Sequence, residues 1–304
     1  MAVASDGTFV FCSLDLLYAG RIEFVVAAQR FEITDDDIAR LDDADLRDLV
    51  GRLCESEARR RGLPTSYITW GGSQTAPDGG LDVRVAFPAG TAIEGFVPKA
   101  ATGFQVKKPD MPRGAILEEM RPNGILRAVI QELAEESGAY IIVSSTGSTS
   151  DTALKNRRDA MAEAVNDLPS PTSLTLDFYD RTRLATWLRD HPGLIPWVRT
   201  KVGKAISGWR SYGPWACAPD GTGGEYLLDG KLRIHTGKHD SENGVPALEG
   251  IKQIRDLLRE PAKVVRLIGL SGVGKTRLLQ ALFDERIGEN CLDPSLAVYT
   301  NNGG

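Results

Sequence analysis

Three residues whose chemistry does not suit a sheet interior sit in two segments that otherwise read as strands. Asp82 lies in "DGGLDVRVAF" (78–87), and Gln105 and Lys107 lie in "GFQVKK" (103–108). Strands disfavour Asp, and a charge on a core face is costly unless something pairs with it. Side chains alternate along a strand. Asp82 and Arg84 are therefore expected to face away from Leu81, Val83 and Val85, and Gln105 and Lys107 away from Phe104 and Val106. Two neighbouring strands then offer one cleft an acid, an amide oxygen and an ammonium, a set suited to phosphodiester chemistry. A hard cation such as Mg2+ takes oxygen ligands, for which Asp82, the Gln105 side chain and the Val106 carbonyl are the candidates. Such an ion polarises a phosphate and acidifies a bound water, while Lys107 orients that water or steadies developing charge. The competing reading of the same pattern is a solvated sheet face.

A fourth member is expected from the preceding helix, "TDDDIARLDDADLRDLVGRLCESEARRRG" (34–62). Thr34 or Asp35 can cap its start and Gly62 can end it, after three arginines that suit the helix dipole. Leu46, Leu49, Val50 and Leu53 form its apolar stripe, and Glu57 continues that stripe whereas Glu55 points elsewhere. A carboxylate on a core-facing stripe needs a partner, which selects Glu57 over Glu55 for the site.

A second constellation lies near the C-terminus. "GLSGVGKT" (269–276) satisfies G-x-x-x-x-G-K-[ST], with the apolar run "KVVRLIG" before it and the amphipathic "KTRLLQALFDE" after it. Gly269, Gly272 and Gly274 would let backbone N–H groups turn toward phosphates at a helix N-terminus. Lys275 would reach the β- and γ-phosphates of ATP, and Thr276 its Mg2+. Only residues 277–304 follow, too few for the later strand that carries a Walker B acid, so the expectation is of the opening part of an NTPase domain.

The elements that must position these residues can be read coarsely. Strands are expected at "LDVRVAF", "GFQVKK", "AYIIVSS" and "SLTLDFY", helices near 123–137, 151–166, 181–190 and 248–259, and a hairpin over 8–33. Residues from about Trp197 to Pro246 are rich in Gly, Pro and aromatics and read as a connector, with a hairpin turn at Asp229-Gly230. Composition (304 residues, 42% hydrophobic, 25% charged, net charge −5) is that of a globular chain and argues against wholesale coating of nucleic acid. No apolar run approaches about 18 residues, so no membrane span is expected. Cys12, Cys54, Cys217 and Cys291 are scattered without C-x-x-C spacing, as in a cytoplasmic protein with reduced thiols. His235 and His239 fall in a glycine-broken stretch and read as surface histidines. Lys155, Arg157 and Arg158 read equally as phosphate contacts or a solvated helix face, and Trp209, Tyr212 and Trp215 as anchors of the connector.

The order of these features resembles a known family. A helix with a glutamate, then Asp78, Gly79 and Gly80 before Asp82, then Gln105-Val106-Lys107, then "YIIVSS" is similar to the PD-(D/E)xK nucleases of the Mrr-like restriction endonuclease branch, over about residues 40–190. The approach to "QVK" through "PAGTAIEGFVPKAATG" is longer than a tight hairpin, which predicts an insertion over the site. A nuclease-like domain, a connector and a P-loop together resemble the antiviral STAND NTPases of bacteria called Avs proteins. The fold this implies is α/β: a restriction-endonuclease-like mixed sheet flanked by helices, followed by a connector and the start of a P-loop NTPase domain. The corresponding boundaries are 1–200, 201–247 and 248–304. The resemblance implies a Mg2+-dependent endonuclease that cuts double-stranded DNA once the NTPase, with ATP and Mg2+, assembles it into a homo-oligomer. It also implies that a phage protein acts as the trigger and binds a more C-terminal region. The alternative is a catalytically inactive nuclease fold serving as a nucleic-acid-binding or assembly module of a regulatory ATPase.

Overall fold

The computed structural model describes residues 2–3, 8–10, 31–70, 80–211, 231–235, 244–260, 264–268, 270 and 273–300. It divides into two compact units. One comprises Ile33–His191 with Val198–Ala205; the other comprises Met1–Glu32, Pro192–Trp197 and Ile206–Gly304.

The first unit is built on a five-stranded mixed sheet whose spatial order follows the chain. β1 (Ile68–Trp70), β2 (Val83–Ala86) and β3 (Ala101–Lys107) pair antiparallel, while β3, β4 (Ala139–Ser144) and β5 (Thr175–Tyr179) pair parallel. Every residue of β4 is buried, as expected where parallel pairing on both edges and cover on both faces leave no solvent side. Among the described residues of Ile33–His191, six helices surround the sheet: α1 (Asp35–Arg40), α2 (Asp43–Arg60), α3 (Arg113–Met120), α4 (Ala128–Glu135), α5 (Asp151–Ala164) and α6 (Arg181–Arg189).

Alternation along the strands sorts the core into two sides. Tyr140, Ile142 and Phe178 pack with Ile116, Met120, Ile130, Leu133 and Met161 of α3, α4 and α5. Phe104 and Tyr179 turn the other way, toward Trp187 of α6, which stacks on Phe96 at a centroid distance of 5.2 Å. Since Phe104 meets Trp187, its neighbours Gly103, Gln105 and Lys107 belong to the α3/α4 side. Gly103 is small for a reason. A Cβ there would fall 2.7 Å from Leu81 and 2.9 Å from Leu133.

Several expectations are corrected. The single helix over 34–62 is two, because Asp42 takes an extended conformation and its side chain accepts the Asp45 N–H at 2.8 Å, starting α2 afresh. Thr34 caps α1 in a reciprocal box with Asp37. The expected alternation fails at Leu81, which packs over Gly103 on the α4 side before regular pairing begins at Val83. The long approach to β3 does not cover the Gln105 face. Phe96 joins the aromatic stack on the opposite side, Tyr179 Oη donates to its carbonyl at 2.9 Å, and Arg61 donates to the Glu94 carbonyl.

In the second unit, Val264–Arg266 pairs antiparallel with Thr8–Val10, which in turn pairs with Ala2–Val3. Expected to extend the nuclease domain, these N-terminal strands instead complete the sheet of the other unit; the rest of the expected hairpin, 11–30, lies outside the described residues. Helices α7 (Ala247–Arg259) and α8 (Lys275–Leu282) share an apolar core of Ile251, Ile254, Leu258, Leu279, Leu282, Ile287 and Leu292. Arg255 is 1% exposed and donates to the carbonyls of Ala281, Leu282, Asp284, Ile287 and Glu289. A helix leaves its last carbonyls unpaired, and a cation at that end is favourable. Of the cysteines, Cys54 and Cys291 form no disulfide, and Cys12 and Cys217 fall outside the described residues, as does the Asp229-Gly230 turn. No helix among the described residues is long and apolar enough to cross a membrane.

Candidate active site

Asp82 continues the sheet by other means. Its backbone N–H donates to the Phe104 carbonyl at 2.9 Å, and its carboxylate then takes the next place in the ladder. Asp82 Oδ2 accepts the Val106 N–H at 2.7 Å and the Gln105 side-chain amide at 2.8 Å. The other oxygen lies 2.6 Å from Arg47 Nε of α2. One turn earlier on that helix, Asp43 accepts the Lys108 N–H at 2.9 Å, so residues 43 and 47 clamp the first turns of α2 to the end of β3 and to the residue before β2.

Lys107, two residues beyond Gln105 on the same face, pairs with Glu119 of α3 at 3.1 Å. Arg127 holds the second Glu119 oxygen at 2.9 Å and also donates to its backbone carbonyl at 2.6 Å. Gly80, at φ +86°, lets the chain pass close to Arg127, since a Cβ there would sit 2.7 Å from the guanidinium. The acidic residue and first glycine of the expected motif, Asp78 and Gly79, lie outside the described residues.

Among the described residues, three buried polar atoms in this neighbourhood have no hydrogen-bond partner: Gln105 Oε1, Tyr140 Oη and Arg47 Nε, the last held only in its ion pair with Asp82. Tyr140 is fully buried. Burial drives its pKa up, the negative charges of Glu119 and Asp82 add to the rise, and Arg127 opposes it. Leaving such a group unsatisfied costs about 1–3 kcal/mol. A sheet interior that served packing alone would place Phe and Leu at these positions.

The structure thus brings Asp82, Gln105 and Val106 into direct contact and ties Lys107 to its own carboxylate alongside. It does not bring Glu57 there. Glu57 and Arg47 are ten residues apart on α2, roughly 15 Å along the axis, and it is Arg47 that reaches Asp82. Glu57 is 3% exposed; Oε1 accepts Trp187 Nε1–H at 3.1 Å and lies 3.3 Å from His191 Nε2, while Oε2 pairs with Arg61 at 2.5 Å. Burial alone would raise its pKa, but the hydrogen bonds and charges of His191 and Arg61 outweigh it and bring it down to about 2. Stripe position identified Glu57 as a buried acid in need of a partner, and the partner is this cluster. Glu55 accepts Trp70 Nε1–H at 2.9 Å and pairs with Arg59. No sequence signal marks Glu119, since α3 is short and its two adjacent glutamates carry no periodicity, and none marks Arg47 of α2 or Tyr140 of β4 as neighbours of Asp82.

The basic run on α5 is also corrected. Arg157 is buried over the Phe178 ring and donates to the carbonyls of Met111 and Ser148 and to Asp110. Arg158 pairs with Asp177, and Lys155 is exposed. His235 is exposed while His239 lies outside the described residues. So do Tyr212 and Trp215, whereas Trp209 packs edge-on against Phe31 at 5.4 Å.

At the second constellation, Gly269 and Gly272 lie outside the described residues. Gly274 takes the left-handed conformation at φ +88° immediately before α8, which opens at Lys275 with Thr276 exposed beside it. The Lys275 ammonium donates to the Leu270 carbonyl at 2.9 Å. The described parts of the motif are the strand before it, Val264–Arg266, and the helix that opens at Lys275.

Among the described residues no group of three or more His, Cys, Asp or Glu is placed to hold a metal ion. The donor set at Asp82 is of a different kind: one carboxylate whose two oxygens meet the Val106 N–H, the Gln105 amide and Arg47, beside an amide oxygen that has no donor among the described residues. Comparison with known proteins returned no match among protein-family models, curated proteins or solved structures.

Proposed function

We propose that this chain carries a Mg2+-dependent DNA endonuclease centred on Asp82, Gln105 and Lys107, coupled to a nucleotide-binding unit through Lys275 and Thr276. The observation that carries the reading is the direct contact of the Asp82 carboxylate with the Gln105 amide at the end of the β2/β3 ladder, beside a buried amide oxygen with no donor. Asp82 and Gln105 Oε1 would hold the ion, with the Val106 carbonyl as the further candidate. When bound, Mg2+ supplies Lewis acidity at the phosphate and lowers the pKa of a coordinated water. Lys107, one-third exposed, brings a positive charge to the same face, where it can meet the charge that develops on a scissile phosphate. In the wider reading the substrate is double-stranded DNA, cutting follows homo-oligomeric assembly by the ATP-binding unit in the cytoplasm, and a phage protein is the trigger. The order of nuclease-like elements, connector and P-loop motif supports it.

Plasmid cleavage with and without Mg2+ tests the reading. Activity that requires the ion and is lost in Asp82→Ala and Lys107→Ala is the expected result; cleavage near the native rate by either purified, folded variant overturns the site. A second reading is favoured by Arg47, whose guanidinium sits on the Asp82 oxygen that a cation would use. It is a catalytically silent nuclease fold acting as a nucleic-acid-binding or assembly module of a regulatory ATPase. DNA binding without cleavage at any Mg2+ concentration would favour it.

A further inference from the structure

We propose that Glu119, on the helix that follows the lysine strand, supplies the second carboxylate of the cation site, a role the sequence pattern assigned to the helix before it. The inference rests on the cation reading of Asp82 and adds a ligand to it. Both glutamates of α2 are committed elsewhere, Glu57 to Arg61, His191 and Trp187 and Glu55 to Trp70 and Arg59. Glu119 instead shares a neighbourhood with the site residues. Its carboxylate is 3.1 Å from Lys107, its backbone carbonyl and second oxygen are fixed by Arg127, and Arg127 is packed against Gly80, two residues before Asp82.

An acidic pair by itself would mark no site. Two of the three orphan atoms here, Gln105 Oε1 and Tyr140 Oη, are what point to a ligand, since Arg47 Nε still has its ion pair with Asp82. Gln105 Oε1 is a buried acceptor with no donor, and its amide touches Asp82. Tyr140 Oη is a fully buried donor with no acceptor, within electrostatic reach of both Asp82 and Glu119. A cation with its bound waters between the two carboxylates satisfies both: the amide oxygen as a ligand, and the tyrosine hydroxyl as a donor to a carboxylate or water oxygen in the coordination sphere. Lys107 and Arg127 then balance the second carboxylate while the ion is absent.

The test is direct binding of Mn2+, an oxygen-seeking ion that can be followed by electron paramagnetic resonance and by calorimetry. The full chain is compared with Asp82→Asn, Glu119→Gln and Glu118→Gln. Glu118 is the exposed neighbour on the same helix and controls for loss of one charge. Thermal melting without metal checks that each variant is folded. Asp82→Asn and Glu119→Gln are each expected to weaken Mn2+ binding by about tenfold or more, with Glu118→Gln unchanged. If Glu119→Gln binds like the native chain while Asp82→Asn does not, the role of Glu119 is overturned and the Asp82 site stands. Binding retained by both variants places the ion elsewhere, and no binding by the native chain removes the cation altogether; either result overturns the proposal and the reading beneath it.

Discussion

The two ends of helix α2 carry two clusters of charge that differ in completeness. At the C-terminal end, Glu57 is enclosed by Arg61, Trp187 and His191, and both of its oxygens are engaged. Cys54 beside it has its thiol pushed well above the ordinary range, by burial first and then by the charges of Glu57 and Glu55, which keeps it unreactive. At the N-terminal end, Asp43 and Arg47 reach the end of β3 and the Asp82 carboxylate, and around that carboxylate a buried amide oxygen and a buried hydroxyl go unpaired. A closed network stabilises a fold and offers a ligand nothing. An open one costs stability in the free protein and becomes complete only when something binds.

Breaking the closed cluster should give the largest effect on the fold. Glu57→Ala leaves His191, Trp187 and Arg61 facing a void, and removing one partner of a buried ionic network costs about 3–5 kcal/mol. Urea unfolding should show a loss of that order. Glu57 also makes a signed prediction in pH. Its folded pKa, about 2, lies below its unfolded value, so its contribution is fully present above the unfolded carboxylate range and fades as pH falls from about 4.5 toward 2. The stability gap between the native chain and Glu57→Gln should therefore narrow across that window. A gap that stays constant to pH 2 would mean Glu57 gains nothing from its charge.

The open cluster should behave in the opposite way. Asp82→Ala and Lys107→Ala are expected to lower cleavage by about a hundredfold or more, with the half-buried Lys107→Ala melting close to the native temperature. Glu119→Gln should join Asp82→Asn in lowering cation affinity. Smaller is the expected effect of Tyr140→Phe. Without metal it should be neutral or stabilising by about 1 kcal/mol, because it deletes an unpaired buried hydroxyl, and with Mn2+ that advantage should vanish. Destabilisation in both conditions would show that the hydroxyl has a partner within the fold. The smallest effect is expected at Arg47, where replacement by Gln removes a competitor for Asp82 but also breaks a largely buried ion pair, so that Mn2+ binding should tighten only about a few-fold. Weaker binding would instead make Arg47 part of the site.

Sequence alone determined the features that depend on short-range periodicity. The four main strands, most of the flanking helices, the stripe of Leu46, Leu49, Val50 and Leu53, and the common face of Gln105 and Lys107 all follow from how side chains repeat along a helix or strand. So does the partnership of Asp82 with Gln105, because acids in strand-like segments require company. Tertiary structure decided which end of a long helix meets which end of a strand. Periodicity fixes the face on which a residue lies and says nothing of its distance along the axis, so Glu57 and Arg47 were indistinguishable as candidates until α2 was docked on the sheet. The same holds for Glu119 and Tyr140. Their neighbourhood exists only because a short helix without a strong apolar stripe folds back beside the lysine strand, and because two glycines, Gly80 and Gly103, allow Arg127 and Leu81 to close in.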